Sequence, residues 1–468
     1  MTQTLDHASE AKRLLELQRA ALRRDGAPTL AVRRDRLKRL ATMVRTSGDD
    51  FARAISADFG GRSSFETALL ETMVTLSTIR HARAHVGRWM RPHRQAVDYT
   101  FWPGSAWIRR EPLGVVGIVS PWNYPLQLAL SPLVDVIAAG NRAILKPSEQ
   151  TPSFSELLKV RIADAVSEEE VAVVTGGPDV ASAFTRLAFD HLLFTGSTSI
   201  GRKVAQAAAE GLVPTTLELG GKSPAVICPS ASIAKAVQAI SYGKFINAGQ
   251  TCIAPDYVLA PRGQVDSIAE QMLAEAVRAY PDLGEDYSSL ISDRAFDRLT
   301  EAVAQAERMG ARVLRHPVTS DRNRGRMAPT IVIGAPADCH LMREEIFGPV
   351  LPVIGYDTLE QALGMIADQP HPLALYVFGE NGGEVERVLD RSQSGGVTVN
   401  GTLMHIAQDN LPFGGVGASG LGAYHGKAGF ERFSHARGVF KTGFFNSASL
   451  LAPPYGARAK QLLKFLMR

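Results

Sequence analysis

The sequence predicts an α/β protein with two parallel-sheet domains and a projecting β arm. From Trp107 onward, short apolar runs rich in β-branched residues alternate with segments of helical length. A second series of such runs begins near Glu218, and a hairpin-like segment, residues 98–111, interrupts the first series. The runs are almost wholly apolar, which is typical of parallel sheets that helices cover on both faces.

The elements of the first domain follow in order along the chain. Residues 10–91 are rich in Ala, Leu and Arg at helical spacing, which predicts several helices. The segments GVVGIVS, RAILKP, VAVVTGG and HLLFTG then predict four strands. Between them we expect helices that begin near Pro125 and Thr198, and another that ends near Val166. This alternation favours parallel pairing of the strands.

The second domain is predicted from seven further strand-like segments with helices between them. They are PAVICP, YVLA, RVLRH, TIVIG, LPVIGY, LALYVFG and GGVTVN. The stretch LPFGGVGASGLG, residues 411–422, is expected to be a loop because so many glycines make a helix or a strand costly. In residues 98–111, Pro103 and Gly104 separate two aromatic-flanked arms. A projecting hairpin fits this pattern, and an ordinary surface hairpin is the alternative.

Composition and charge exclude several classes of protein. The 468 residues are 45% hydrophobic and 21% charged, which suits two or three folded domains and excludes a disordered chain. The net charge is +4, and the arginines near the start lack the aromatic interleaving of a nucleic-acid site. Three cysteines give no disulfide framework and fit a reducing compartment. With no signal peptide and no apolar run of about 20 residues, we expect a cytoplasmic protein without nucleic-acid or membrane partners.

Cys252, in NAGQTCIAPD, is the candidate nucleophile. Small residues and a glycine before it let the backbone approach a ligand closely, and the N–H groups of Cys252 and Ile253 could join an oxyanion site. The alternative is a buried inert thiol, the usual state of a lone cysteine. That interpretation is kept for Cys228 and Cys339.

Two polar residues are candidates for proton transfer and oxyanion binding. Glu218, in TLELGGKSP, closes an apolar strand, where a low dielectric raises the carboxyl pKa towards that of a general base. Its alternative is a satisfied ion pair with Lys222. Asn123, in SPWNYPLQLAL, precedes the helix that Pro125 begins, so it is either a plain helix cap or an amide donor to an oxyanion.

Strand ends carry the candidates for cofactor binding, since ligands of open α/β sheets bind at the carboxyl ends of strands. Lys146 and Glu149, in AILKPSEQ, could reach sugar hydroxyls or phosphates, or form an exposed pair. Ser197, in FTGSTSIG, would begin a helix whose N–H groups attract a pyrophosphate, although the G-x-G-x-x-G fingerprint is absent. In MREEIFGPVLPV, Glu345 could bind a ribose; the alternatives are a surface glutamate and a core Phe347.

The order of these motifs resembles the aldehyde dehydrogenase superfamily over nearly the whole chain. PWNYP, LKPSE, FTGST, ELGGKSP, GQTC, EEIFGP and LPFGGVGxSG occur in this succession. The short N-terminal arm and GAYHGKAGFERFSH resemble the dimeric, class 3-like branch. Segments such as RHARAHVGRWMRP and APPYGARAKQLLKFL look like those of bacterial coniferyl aldehyde dehydrogenases.

The resemblance implies a role for each candidate. Cys252 is the nucleophile, Glu218 the general base, and Asn123 forms the oxyanion hole with the Cys252 N–H. The implied cofactor is NAD, with NADP as the alternative. Lys146 would bind the adenosine ribose, Glu149 would favour a free 2′-hydroxyl, and Glu345 would bind the nicotinamide ribose. The full implied cofactor set is Lys146, Glu149, Thr195, Gly196, Ser197, Gly220, Glu345 and Phe347.

The resemblance also implies a domain plan and a substrate. Residues 1–97 and 112–217 would bind the cofactor, 218–423 would be catalytic, 98–111 and 424–445 would form an oligomerisation arm, and 446–468 a C-terminal tail with a docked helix. The chain would be a homodimer that oxidises an aromatic, coniferaldehyde-like aldehyde and needs no metal. Trp122 and Tyr124 could stack on this substrate or pack in the core, and His405 is expected near the pocket mouth.

Three other functions remain open on the sequence. A medium- or long-chain aliphatic aldehyde would use the same chemistry. A CoA-acylating enzyme would also form a cysteine thioester, but the hydrolytic base expected at Glu218 argues against it. A non-catalytic protein on this fold would be expected to lack one of the catalytic groups, and none is missing here.

Overall fold

Three β-sheets organise the chain. The structure is a computed structural model that describes residues 2–467, leaving aside the side chains of residues 2–8, 447 and 448. Within that part of the chain the strands form a six-stranded, a seven-stranded and a three-stranded sheet. The two larger sheets are mostly parallel, and their central strands are fully buried. The predicted class of two parallel-sheet α/β domains is therefore confirmed.

The helices and strands have the following bounds. The α-helices are α1 (Thr2–Asp25), α2 (Leu30–Thr46), α3 (Gly48–Phe59), α4 (Ser64–Thr67), α5 (Val74–Trp89), α6 (Pro125–Ala139), α7 (Pro152–Ala165), α8 (Pro178–Thr185), α9 (Thr198–Glu210), α10 (Ile233–Phe245), α11 (Val265–Ala279), α12 (Asp293–Arg308), α13 (His340–Arg343), α14 (Leu359–Ala367), α15 (Gly382–Arg391), α16 (Gly426–Arg432) and α17 (Ala457–Leu466). The strands are β1 (His93–Gln95), β2 (Ser105–Pro112), β3 (Val115–Val119), β4 (Arg142–Lys146), β5 (Val171–Val173), β6 (His191–Thr195), β7 (Thr215–Glu218), β8 (Pro224–Ile227), β9 (Tyr257–Pro261), β10 (Arg312–Arg315), β11 (Thr330–Ile333), β12 (Val350–Tyr356), β13 (Ala374–Phe378), β14 (Gly396–Val399), β15 (Gly420–Leu421) and β16 (Ser434–Lys441). A π-helical turn, Ala68–Met73, joins α4 to α5.

The six-stranded sheet has the order β15-β7-β6-β3-β4-β5. Its strands are parallel except β15, and their register aligns the carboxyl ends: Val119 pairs with Lys146, and Thr195 pairs with Glu218. One edge of the sheet therefore collects the ends of four strands. Helix α6 is buried along its whole length, which explains why its sequence is apolar on every side apart from Gln127, Ser131 and Asp135.

The seven-stranded sheet has the order β10-β11-β12-β9-β8-β13-β14. All seven predicted strands of the second series are present, but β10 pairs antiparallel with β11 at one edge. The stretch 411–422 is also not a loop throughout, because Gly420–Leu421 forms β15 against β7. This close pairing needs a glycine, since a Cβ on Gly420 (φ +157°) would lie 2.4 Å from the Leu217 carbonyl oxygen.

The three-stranded sheet, β1-β2-β16, corrects the predicted hairpin. Its first strand is His93–Gln95, which lies before residue 98, and Tyr99–Phe101 is a short 3₁₀ turn. The long partner of β2 is β16, which pairs with it over eight residues. The predicted arm segment 424–445 contains α16, whose Phe430 packs against Trp89 at the first domain.

The C-terminal segment ends in helix α17. Most of its side chains are exposed, with Ala459 the buried contact. In the described residues, no helix combines the length and the apolar character that a membrane crossing requires.

Candidate active site

A cavity of about 250 Å³ lies at the carboxyl edge of the six-stranded sheet. Its wall combines residues at the ends of β6 and β7 with residues that precede strands β9, β12 and β13 of the other sheet. The lining residues are Pro121, Trp122, Asn123, Leu128, Thr195, Gly196, Ser197, Glu218, Leu219, Gly220, Cys252, Glu345, Phe347, Leu373, Phe413 and Tyr424. Ten of the fourteen predicted site residues, Trp122 among them, thus line one cavity.

The segment before Cys252 is a tight left-handed turn. Asn247 (φ 50°), Ala248 (φ 49°) and Gly249 (φ 74°) follow helix α10 in left-handed conformation. A Cβ on Gly249 would lie 2.3 Å from the Gly348 carbonyl oxygen, so only glycine fits there. This turn brings Cys252 to the cavity wall.

Gln250 and its neighbours hold the turn in place. The Gln250 side chain donates to the carbonyl oxygens of Asn247 (3.1 Å) and Ser289 (3.0 Å), and it accepts from the Ile291 N–H (2.9 Å). The backbone leading to Cys252 is therefore anchored to a distant segment of the chain, residues 289–291.

Glu218 has no ion-pair partner in the cavity. Both carboxylate oxygens are buried without a hydrogen-bond partner among the described residues. The alternative of a pair with Lys222 is wrong, because the Lys222 ammonium instead binds Asp256 and the Leu341 carbonyl oxygen (2.6 Å). Burial raises the pKa of Glu218 well above its usual range, and the charge of Arg432 only partly opposes it. Such a carboxyl is suited to act as a general base.

Asn123 is tied to the cysteine turn and is not a plain helix cap. Its side-chain Nδ2 donates to the Gln250 carbonyl oxygen at 3.2 Å. Its own carbonyl oxygen accepts from Arg62 (3.1 Å) and from Asn247 (3.1 Å). The N-terminal N–H groups of α6 are satisfied by Glu71, so the amide of Asn123 remains available to the cavity.

The environment of Cys252 favours the neutral thiol. Burial, and then the charges of Glu345 and Glu218, raise the pKa of Cys252 to about 12. The backbone N–H groups of Cys252 and Ile253 act in the opposite direction. These two N–H groups lie where a negative charge on or near the sulfur would be stabilised.

Lys146 and Glu149 lie outside the cavity lining, at the end of β4. The Lys146 side chain is 1% exposed, and its Nζ donates to the Pro147 carbonyl oxygen (2.9 Å) and to Glu149 (3.3 Å). The expectation of an exposed pair is therefore wrong for the lysine, although Glu149 is exposed. Because β4 pairs with β3, this strand end lies beside Ser120, which follows β3. It is therefore one strand further from the cavity.

Ser197 begins helix α9 as predicted. Its side chain makes no capping hydrogen bond to the first N–H groups of this 13-residue helix, which begins beside the cavity. Gly196 is packed under the Phe194 ring, which a Cβ would meet at 2.6 Å. These features leave an anion-attracting helix end at the cavity rim.

Glu345 and Phe347 are neither surface nor core residues. The Glu345 carboxylate lies against Gly220, where a Cβ would come within 2.0 Å of it, and its Oε1 is buried without a partner among the described residues. Burial, and then the charge of Asp256, raises the pKa of Glu345 to about 8. The Phe347 ring meets Trp122 edge-on at 5.4 Å on the cavity wall.

Two predicted substrate residues are corrected by the structure. Tyr124 turns away from the cavity, and its hydroxyl bonds Thr251 Oγ1 at 2.6 Å while Arg62 packs over its ring. His405 lies behind Phe413, against which it stacks at 6.2 Å, and its Nδ1 bonds Thr398. Both residues therefore lie outside the cavity lining, and the polar group of each bonds another side chain.

Sequence reasoning missed six cavity residues: Pro121, Leu128, Leu219, Leu373, Phe413 and Tyr424. Phe413 lies in LPFGG and Tyr424 in GAYHG, so both belong to segments that carry the family resemblance. No local pattern assigns Leu128 and Leu373 to the cavity, because an apolar residue of the protein core and one of a pocket wall cannot be distinguished in the sequence.

Comparison with known proteins agrees with this geometry. The model of the "Aldehyde dehydrogenase family" matches residues 2–439. A probable coniferyl aldehyde dehydrogenase of Pseudomonas aeruginosa is 44% identical over 465 residues, covering 99% of this chain and 97% of that protein. Staphylococcus aureus AldH, solved in a substrate-bound state, superposes with a TM-score of 0.92 at 34% identity, over 97% of this chain and 99% of that chain. Mycobacterium tuberculosis aldehyde dehydrogenase complexed with NAD+ superposes with a TM-score of 0.84 at 28% identity, over 94% and 91% of the two chains. With a matching family model and relatives that span almost its full length, the chain belongs to the aldehyde dehydrogenase family.

Proposed function

We propose that the chain oxidises an aldehyde to its carboxylic acid with NAD through a covalent thioester on Cys252. The observation that carries this proposal is the meeting of three groups at one cavity. A thiol, a buried carboxylate without an ion-pair partner and a side-chain amide all line it. Nucleophilic attack, oxyanion binding and hydrolysis each require one of these groups.

The first half of the reaction uses the cysteine turn. The Cys252 thiolate attacks the aldehyde carbon, and the carbonyl oxygen becomes an oxyanion. The Cys252 N–H and the second hydrogen of Asn123 Nδ2 are its donors, since the first hydrogen is held by Gln250. Loss of one such donor typically costs about 3–4 kcal/mol in the transition state.

The cavity rim fits NAD. The uncapped N-terminus of α9 at Ser197 suits a pyrophosphate, and the unpaired Glu345 Oε1 suits a ribose hydroxyl. When bound, NAD supplies the hydride acceptor that the oxidation needs. Lys146 and Glu149 lie at the next strand end, where the exposed carboxylate of Glu149 would repel the 2′-phosphate of NADP.

The second half of the reaction uses Glu218. As base, it takes a proton from a water molecule, the water oxygen attacks the thioester carbon, and the Cys252 thiolate leaves. The raised pKa of Glu218 strengthens it as a proton acceptor once it is ionised. Thr195, Gly196 and Gly220 complete the backbone wall at this side of the cavity.

For the substrate we propose an aromatic, coniferaldehyde-like aldehyde. Four aromatic side chains line the cavity, namely Trp122, Phe347, Phe413 and Tyr424, and Leu128 and Leu373 add apolar surface. Planar rings pack well on such walls. The name of the Pseudomonas aeruginosa relative supports this choice.

We also propose the following domain roles. Residues 1–97 and 112–217 would bind the cofactor, and residues 218–423 would carry the catalytic cysteine. Residues 98–111 and 424–445 would serve in a homodimer, and 446–468 would form the tail. The protein would act in the cytoplasm.

The test is NADH formation by the purified protein with coniferaldehyde, benzaldehyde, hexanal and a long-chain aldehyde, each repeated with NADP. We expect the highest kcat/KM with coniferaldehyde and NAD, and no turnover by the variant Cys252→Ala. A higher kcat/KM with hexanal than with coniferaldehyde would contradict the aromatic substrate but not the proposed chemistry. Turnover by Cys252→Ala, or none by the wild type with any aldehyde, would overturn the proposed function.

A further inference from the structure

Tyr424 lines the same cavity as Cys252 and Glu218, and the proposed function uses its ring but leaves its hydroxyl without a role. Its side chain is fully buried, and its hydroxyl has no hydrogen-bond partner among the described residues. Leaving a buried donor unpaired typically costs about 1–3 kcal/mol. A hydroxyl of this kind at a cavity wall is suited to pair with a molecule that enters the cavity.

The backbone holds Tyr424 at a defined position relative to Glu218. In β15, Gly420 pairs with Glu218 itself, and Tyr424 follows four residues later. Tyr424 and Phe413 then exchange two backbone hydrogen bonds, of 2.8 and 2.9 Å. The Tyr424 ring meets Phe413 edge-on at 6.0 Å and His425 at 4.5 Å. Backbone pairing and ring contacts with two neighbours therefore fix the Tyr424 ring at the cavity wall.

The charges near Tyr424 keep its hydroxyl protonated. Burial raises the pKa of Tyr424 well above its ordinary value, and Glu218 and Cys252 raise it further when they are ionised. Tyr424 is therefore a hydrogen-bond donor throughout the pH range in which an enzyme works.

We propose that the Tyr424 hydroxyl donates a hydrogen bond to the water that hydrolyses the Cys252 thioester. This role rests on the proposed function. The water accepts from Tyr424 through one lone pair, donates one hydrogen to Glu218 and attacks the acyl carbon with its other lone pair. As the new C–O bond forms, Glu218 takes the proton. The C–S bond then breaks, its electrons return to the Cys252 sulfur, and the carboxylic acid leaves. Tyr424 keeps its own proton and positions the water.

The test compares Tyr424→Phe with the wild type in stopped-flow NADH formation. The substitution keeps the ring and removes a hydroxyl without a partner, so the fold is expected to survive, which thermal melting checks. Tyr257→Phe is the matched control. Its hydroxyl is also buried without a partner among the described residues, but Tyr257 does not line the cavity.

We expect Tyr424→Phe to release a first burst of about one NADH per active site at the wild-type rate. The following steady state should be about tenfold slower, as the loss of one hydrogen bond predicts. Hydroxylamine, which cleaves thioesters without a positioned water, should restore its turnover. Tyr257→Phe should match the wild type in both phases.

Two outcomes would overturn the role of Tyr424. One is a wild-type steady state in Tyr424→Phe, and the other is a slowed burst, which would assign the hydroxyl to the first half of the reaction. A wild-type enzyme that forms no NADH with any aldehyde would instead refute the proposed function itself. The two failures are therefore distinguishable in the same experiment.

Discussion

At the scale of single residues, the charges around Cys252 decide its reactivity. Burial contributes most to its raised pKa, followed by the carboxylates of Glu345 and Glu218. Without cofactor, therefore, the thiol form dominates at neutral pH. The thiolate is the reacting form, so reactivity must rise with pH or with removal of a neighbouring negative charge.

We predict the pH dependence of Cys252 alkylation from this environment. Because the pKa is about 12, alkylation by iodoacetamide without cofactor should rise about tenfold per pH unit from neutral to alkaline pH. The pKa of Glu345 is about 8, so Glu345→Gln removes a negative charge above that pH, lowers the thiol pKa there and should speed alkylation most at alkaline pH. Mass spectrometry of the labelled cysteine gives the rates.

Cys252→Ala is the control for this measurement. Cys228 and Cys339 are both fully buried, so the control should stay unlabelled on the same time scale. A plateau in the wild-type rate at neutral pH would contradict the raised pKa of Cys252.

At the scale of elements, a buried ion pair connects the start of helix α6 to the cysteine turn. Arg62 Nη1 lies 2.8 Å from Glu71, and both side chains are fully buried. Glu71 accepts from the N–H groups of Leu126 (2.7 Å) and Gln127 (3.2 Å) at the start of α6. Arg62 donates to the Asn123 carbonyl oxygen, so the pair orients the proposed oxyanion donor.

We predict that breaking this pair affects both stability and catalysis. Arg62→Ala leaves the Glu71 charge buried and unpaired, which should lower the free energy of unfolding by about 3–5 kcal/mol. Glu71→Gln keeps an acceptor for the helix N–H groups and should cost less. Urea unfolding of both variants measures the difference.

The catalytic consequence has its own readout. Displacement of Asn123 should lower kcat more than it raises KM, because an oxyanion donor acts in the transition state. Arg53→Ala is a suitable control, since its ion pair with Asp50 is exposed. An Arg62→Ala protein with wild-type stability and kcat would contradict this function of the pair.

At the scale of the whole molecule, the three-stranded sheet exposes large aromatic side chains. Tyr99, Phe101, Trp102 and Phe440 are each more than half exposed, and Phe101 contacts Phe440 edge-on at 6.1 Å. Strand β16 is at the edge of its sheet, and β14 is at the edge of the seven-stranded sheet. Exposed apolar surface beside an open strand edge is typical of an interface between chains.

We predict from this surface that the chain is a homodimer that Phe440→Asp dissociates. Analytical ultracentrifugation should give twice the monomer mass for the wild type and a lower mass for the variant. Leu212→Asp, at a residue that is 90% exposed on another part of the chain, should remain dimeric. A monomeric wild type would refute the prediction. A Phe440→Asp variant that stays dimeric would show that the interface lies on another surface.

The sequence alone determined the features that depend on neighbouring residues. Strand and helix positions followed from local apolar periodicity, and all seven strands of the second series were found where they were predicted. The ordered motifs identified the family, and they grouped Cys252, Glu218 and Asn123 before any geometry was known. Local patterns are sufficient here because backbone propensity and the alternation of buried and exposed positions depend on residues that are close in the chain.

Only the tertiary structure decided which distant side chains meet. Lys222 pairs with Asp256 and leaves Glu218 free, Tyr124 turns to Thr251, and Arg62 supports Asn123. It also revealed the antiparallel strands β10 and β15 and brought Tyr424 to the cavity. These contacts join residues far apart in the chain, so their energies depend on packing that no local pattern records.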